Sequence, residues 1–431
     1  MTCASFVRER PILMFLHTAK DRIIIACNLA IPYIFYLFAL PTRPRTTLEH
    51  ANMLWLAFRM LFQERGRLVI TLVGIVFSTV LTLVEVGIYL GMMGNATSIV
   101  RHTDADIWIV SQNVPNFDFT QPFPAYRINR VRAFDEVLWA DKIHVWFAFL
   151  KLADGRREQA QVIGFNPDTG IGGPWSMAIG KPSDVKGGRY IIMDESSRQR
   201  LGRLELGSMW ELNLFREQSF KLVGLSREAL SFTTIPVVFT SYNEIDQSLM
   251  DTDFEGQTSF IVVKLKDPSR VEEMAQKLRA VLPDNDVYTK QGFIDRTVNY
   301  WSIQTGMGMA FLLTAILAVL IGGAIVGQTI YAGTIEHLRD YGTLKAMGAK
   351  NSDINLVILT QAASSAVMGF AVGVVITLAS RHGIVSAGVS MQLPLQLFAV
   401  VFAIVVLTCL AAAHISVRKV KLLDPVMVFR E

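Results

Sequence analysis

LVITLVGIVFSTVLTLVEVGIYLGMM, residues 68–93, is the stretch whose reading decides the fold. A bilayer hydrocarbon core of about 30 Å requires about 20 consecutive apolar residues in a helix. The stretch exceeds that length and carries one charged residue, Glu85. It therefore reads as a transmembrane helix. Working outward, three further stretches meet the same test: Met307 to Ala332, Ile354 to Ser380 and Leu395 to Ile415. Residues 94–306 are polar enough to form a soluble domain. The expected architecture is an α-helical bundle of four transmembrane helices, with a large α+β extracytoplasmic domain inserted between the first and second.

Composition agrees. Just over half of the 431 residues are apolar and 18% are charged, below the ~25% of soluble domains. A net charge of +4 argues against nucleic acid as a partner. The three cysteines, Cys3, Cys27 and Cys409, lie in or beside apolar segments, and none has metal-ligand spacing.

Lysine and arginine near the span ends set orientation. Arg59, Arg65 and Arg67 precede the first span, Arg339, Lys345 and Lys350 lie between the second and third, and Arg418, Lys419 and Lys421 follow the fourth. The expectation is a multi-pass membrane protein, with both ends of the four-span module and the middle loop in the cytoplasm. The apolar segment Ile23 to Leu40 has basic residues on both flanks, so residues 1–52 read as an N-terminal extension to a module that starts near Met53. The alternative is a real extra helix. Residues 53–67 place Leu54, Phe58, Leu61 and Phe62 on one helical face. They read either as an interfacial helix or as an extension of the first span; with 68–93 they complete a unit over 53–93.

Gly-xxx-Gly spacing occurs at Gly87/Gly91, Gly323/Gly327 and Gly369/Gly373. Small residues four apart let helix backbones approach, either between subunits or within one. Glu85 is a functional candidate because charge in a membrane is costly, although a carboxylate near the outer end can also reach the interface.

In residues 94–306, short apolar runs between turn signals predict strands at 106–110, 144–151, 159–165, 190–193, 210–215, 220–225 and 260–266. Pro268 to Leu282 predicts an amphipathic helix with Val271, Met274, Ala275, Leu278 and Val281 on one face. Two lobes are expected, with breaks at 170–174 and at Gly187-Gly188. Asp251 to Gly256 lacks the glutamate that closes a calcium loop. There is no H-E-x-x-H pair, no G-x-S-x-G elbow and no G-x-x-x-x-G-K-[ST] phosphate loop. No catalytic residue, metal site or cofactor of this chain is expected.

The connector Glu336-His-Leu-Arg339-Asp340-Tyr341-Gly342-Thr-Leu344-Lys345-Ala346-Met347-Gly348-Ala349 resembles the signature that follows the second helix of FtsX-like permeases, with Asp340 where Glu is usual. Residues 56–77 and the ending around Val417 to Arg430 are similar to that family as well. The chain is identified as a member of the FtsX-like, MacB-like group and looks closest to the DevC-type exporter permeases. Residues 307–431 then form the FtsX-like permease domain, and 94–306 the periplasmic core domain.

The resemblance implies a homodimer that binds two ATPase subunits, with ATP and Mg held by those partners. Further implied partners are a periplasmic adaptor (membrane fusion) protein, an outer-membrane channel and membrane lipids. The substrate class is a lipid, glycolipid or other hydrophobic molecule. Leu344 and Met347 are expected to anchor in the ATPase, Asp340 and Lys345 to set register, and Gly342 and Gly348 to keep the backbone clear for docking. Two other family functions stay open: a non-transporting transmitter controlling cell-wall hydrolases, and a lipoprotein-releasing permease.

Overall fold

The computed structural model describes residues 47–152, 154–232 and 235–421. The apolar segment Ile23 to Leu40 and the ending beyond residue 421 lie outside them. Among the described residues, four helices are long and apolar enough to cross a membrane. In chain order the longer helices are α1 (Thr47–Gln63), α2 (Arg65–His102), α3 (Val271–Val281), α4 (Lys290–Asn299), α5 (Met307–Glu336), α6 (Leu338–Ala346), α7 (Asn351–Ser386) and α8 (Leu395–Lys421). The spans α2, α5, α8 and α7 pack in a ring in that order.

The expected single helix over 53–67 is two. Glu64 leaves helical geometry at φ −99° and ψ 71°, which separates α1 from α2. Ala57, Met60 and Leu61 of α1 are buried with Ile354, Val357 and Ile358 of α7, while Trp55 and Phe62 are exposed.

Helix α2 does not stop at Met93. Its 38 residues extend about 57 Å at 1.5 Å per residue, far more than a bilayer core. The last turns enter the sheet domain, where Ile99 and Val100 are buried in one cluster with Trp108, Phe260 and Phe293. A polar stretch, Asn95 to Ser98, is buried there too. A hydropathy reading ends the span where polarity begins, but this helix is buried by protein rather than lipid.

The strands are β1 (Ile107–Ser111), β2 (Phe123–Pro124), β3 (Val137–Lys151), β4 (Arg157–Phe165), β5 (Ser176–Ile179), β6 (Tyr190–Asp194), β7 (Met209–Asn213), β8 (Glu217–Arg227), β9 (Val237–Ser241), β10 (Gln257–Thr258), β11 (Phe260–Leu265) and β12 (Asn285–Thr289). One large sheet runs β12-β1-β11-β3-β4-β9-β6-β8-β5, with β7 paired to β3 and β8. Strand β3 is its spine. Residues 137–143 pair with β11, and residues 144–151 pair with β4. The two lobes therefore meet inside one strand. The expected breaks are misplaced: Gly172 and Gly173 are packed so closely on Ile143 and Phe165 that an added Cβ would lie 2.5 and 2.6 Å from them. Those glycines mark close packing against the shared core beside β3.

On α3, Met274, Ala275 and Leu278 are buried as the periodicity requires, but Val281 is 37% exposed at the helix end. The unexpected strands β2, β5, β9, β10 and β12 are short, and so few side chains on a face leave little pattern to read.

Asp118 is buried beneath β4 and accepts a hydrogen bond from Gln161 Nε2 at 3.0 Å. Burial raises its carboxyl from the ordinary 3.8 to about 6. The native state thus binds this proton more tightly than the unfolded chain. Its stabilising effect is complete below the unfolded value and is lost as pH rises through the native one. Wild-type protein is expected to lose about 2 kcal/mol from this group between pH 4 and 7, and Asp118→Asn to lack that slope. Thermal unfolding of the full chain in detergent across this range checks it; parallel pH profiles contradict it.

The glycines of the bundle generate a second expectation. An added Cβ at Gly369 would lie 2.5 Å from Ile75 of α2, whereas Gly66 has nothing within 4 Å. Gly369→Leu should cost about 1–3 kcal/mol by overpacking and Gly66→Ala should cost nothing. Unfolding temperatures of the two purified variants decide the matter.

Candidate functional site

The connector between α5 and α7 is a built element. Helix α5 ends at Glu336, the chain breaks at His337, and α6 follows. Leu338, Tyr341, Gly342 and Lys345 recur at helical spacing and face inward. Tyr341 is 3% exposed and joins the core of α1, α7 and α8. Burial pushes its hydroxyl up to about 12. The opposite face presents Arg339, Asp340, Thr343, Ala346 and Met347, the last 72% exposed.

The end of α6 explains the Ala-x-Gly-Ala part of the signature. Ala349 N–H donates to Leu344 O at 2.9 Å and Gly348 N–H to Lys345 O at 3.0 Å, with Gly348 at φ 100°. This is the Schellman arrangement, in which the residue after the cap is left-handed and is most often glycine. Gly348 is thus required for backbone conformation; the space around it is open. Gly342 lies on the buried side. Two expectations are corrected here. Leu344 packs partly buried against the protein's own core, so of the two apolar anchors Met347 is the one that projects outward. Gly342 is buried and does not clear a docking surface, whereas Gly348 is exposed just beyond the end of α6.

At the base of this element, polar and titratable groups from distant segments converge. His337 Nε2 contacts the Glu64 carboxylate, and its Nδ1 lies 2.7 Å from Asp340 Oδ2. Arg67 Nη1 contacts Glu64 and lies 3.7 Å from Glu336. A cavity of about 30 Å³ beside them is lined by Arg67, Thr71, Thr329, Thr334, Tyr341, Gln361 and Ser365, among others. That is room for about one water among polar groups. Glu64, Arg67 as a partner, and His337 escaped the sequence reading because no local pattern links residues so far apart.

The Gly-xxx-Gly pairs all pack within this chain. Gly369 and Gly373 receive Ile75 and Thr79 of α2, Gly323 and Gly327 face Thr408 and Ala412 of α8, and Gly87 and Gly91 receive residues 390–393. The backbone N–H of Gln392 donates to Gly87 O at 3.0 Å. Glu85 is half-buried on α2, and the connector cluster lies elsewhere on the chain.

The sheet domain gathers a second set of titratable side chains at Tyr242. The Tyr242 ring lies between Lys142 Nζ at 4.3 Å and the His144 ring at 4.2 Å. Burial holds both His144 and Lys142 below their ordinary values. Asp246 lies 3.8 Å from His144 Nε2, too far for a hydrogen bond. These side chains fill the space between β3 and the helix Tyr242–Ser248. Among the described residues, no group of His, Cys, Asp or Glu is arranged to hold a metal ion.

Comparison with known proteins accords with this layout. Residues 68–281 match the family model of the MacB-like periplasmic core domain, and residues 312–425 match that of the FtsX-like permease C-terminal domain. An uncharacterized ABC transporter permease of Mycobacterium tuberculosis is 26% identical over 389 residues, spanning 88% of this chain and 99% of its own length. The pyoverdine export ATP-binding/permease protein PvdT of Pseudomonas syringae is 27% identical over 177 residues, 39% of this chain and 26% of PvdT. The crystal structure of the periplasmic region of MacB from Actinobacillus actinomycetemcomitans aligns with 46% of this chain and 95% of that one, at 13% identity and a TM-score of 0.34.

The two faces of α6 should respond differently to substitution. Met347→Asp should change stability by no more than about 0.5 kcal/mol, as surface changes do. Tyr341→Ala should cost about 3 kcal/mol or more through the cavity left behind. Thermal unfolding of the purified full chain distinguishes them; equal losses would contradict the assigned burial.

Proposed function

The chain belongs to the FtsX-like, MacB-like family of ABC transporter permeases, and from that premise we propose that it is the mechanically driven subunit of an export machine whose ATPase docks on α6. Permease subunits of this kind are generally non-catalytic, and the family implies an ATPase partner that supplies hydrolysis. The observation that carries the reading is the two-faced helix α6. One side is fixed to the bundle by Tyr341 and Leu344, and the other offers Arg339, Asp340, Thr343, Ala346 and Met347 to a partner. A short helix presenting one apolar anchor amid charges suits a groove in another protein, with the charges setting specificity more than affinity.

In this proposal α6 faces the cytoplasm and the sheet domain faces outward, across the inner membrane of a bacterium. The positive flanks of the spans support that orientation. ATP and Mg bind the partner. Two copies of this chain assemble with two ATPase subunits. The sheet domain, carried on the unbroken α2, delivers motion to an adaptor protein and, through it, to an outer-membrane channel. A lipid, glycolipid or similar hydrophobic substrate is the class proposed for export, in keeping with the DevC-like character of the sequence. The export role that PvdT's name gives that protein is compatible with this reading.

The test is co-purification of the full chain with its ATPase partner. Met347→Asp combined with Arg339→Glu should weaken association about tenfold or more, as loss of a central anchor does. The variant should still insert and its sheet domain should stay folded. Unchanged association and unchanged stimulation of the ATPase would remove α6 as the docking element.

A further inference from the structure

Two helix breaks meet at one point. Helices α1 and α2 part at Glu64, and α5 and α6 part at His337. The residues at these two breaks contact each other, His337 Nε2 against the Glu64 carboxylate. Arg67, in the first turn of α2, also contacts Glu64, and it lies across α5. A Cβ at Gly333 would sit 2.0 Å from Arg67 Nη1, so the guanidinium crosses α5 where the backbone has no side chain. The side chains of Glu64, Arg67 and His337 are 26, 19 and 19% exposed, while Glu336 and Asp340 point outward at 68 and 65%. The inner three are thus shielded enough for their pairing to exceed that of an open surface ion pair.

The far ends of α2 and α5 differ. Helix α2 continues without a break to His102, with Ile99 and Val100 inside the sheet-domain core. Helix α5 is joined to that domain through a π turn at Tyr300–Gln304 and through Gly306 at φ 73°. A π turn and a left-handed glycine are places where a helix bends. We propose that Glu64 and His337 are the positioning pair that ties α6 to α2, so that movement of α6 reaches the sheet domain through α2 while α5 follows. This rests on the reading of α6 as the ATPase-docking helix. Without the pair, α6 is held on its polar side only by its chain connection to α5, and the ATPase can bind it without moving α2.

The experiment is a double-mutant cycle in the full-length chain in lipid nanodiscs. Glu64→Gln removes the charge. His337→Asn removes Nε2 yet keeps a donor at the Nδ1 position toward Asp340. Amide exchange over residues 338–346, measured on the chain alone, should rise about tenfold in either variant. The double variant should be no worse than either single one, since one pair is lost in each case. With the ATPase added, association should stay within about twofold of the parent while stimulation falls about tenfold. His337→Gln, which keeps a donor near the Nε2 position, should restore most of the stimulation.

Unchanged exchange in the single variants overturns the proposal, and so does a double effect equal to the product of the singles. A parallel loss of association and stimulation also overturns it, because the pair would then only support the fold. Met347→Asp serves as the comparison: it should lower association and leave exchange over 338–346 unchanged. If Met347→Asp fails to lower association, the docking assignment falls, while the exchange cycle on the chain alone still decides whether the pair holds α6.

Discussion

Everything in this molecule hangs on one helix that serves two solvents. The lower part of α2 packs among other membrane helices, and its upper part is buried in the sheet domain with Ile99 and Val100 in the aromatic core. A helix satisfies its own backbone hydrogen bonds, so it can pass from lipid into protein without exposing an unpaired group. No loop or linker intervenes on this side. The sheet domain and the bundle are thereby joined through one continuous helix.

The bundle is built to hold that helix closely. Gly74 of α2 packs on Ile325 of α5, Gly322 of α5 packs on Ser78 of α2, and Gly369 and Gly373 bring α7 against Ile75 and Thr79 of α2. In lipid there is little hydrophobic drive between helices, so close packing of this kind carries the association. At the upper end residues 390–393 lie on Gly87 and Gly91. At the lower end polar contacts replace glycine packing: Arg67, Glu64 and His337 gather where the membrane helices end, which is where ionised groups are least costly.

In the sheet domain the organising element is again a single continuous one. Strand β3 belongs to both lobes because its pairing changes partner from β11 to β4 between Ile143 and His144. Lys142, Tyr242 and His144 close the seam on one face. Two lobes joined through a shared strand and a shared aromatic core bend less readily than two joined by a hinge loop. That suits a domain carried on a rigid helix.

Much of this was legible in the sequence. The four spans, the domain between them, most of the long strands and helix α3 follow from local periodicity, because burial in lipid or against a sheet face imposes a repeat of 3.6 or 2 on neighbouring residues. The family resemblance likewise rested on a short contiguous motif, and the Gly348 part of it has a local cause, the left-handed helix end. What tertiary structure alone decided is the set of facts that depend on residues far apart in sequence. The break at Glu64 and its contact with His337, the inward turn of Leu344, the glycine pairs facing partners in the same chain, and the lobe boundary inside β3 all belong to it. Hydropathy reports how much water a segment avoids, not whether lipid or protein takes its place; only the packed structure distinguishes the two, and so only it showed that α2 runs on beyond Met93 into the core of the sheet domain.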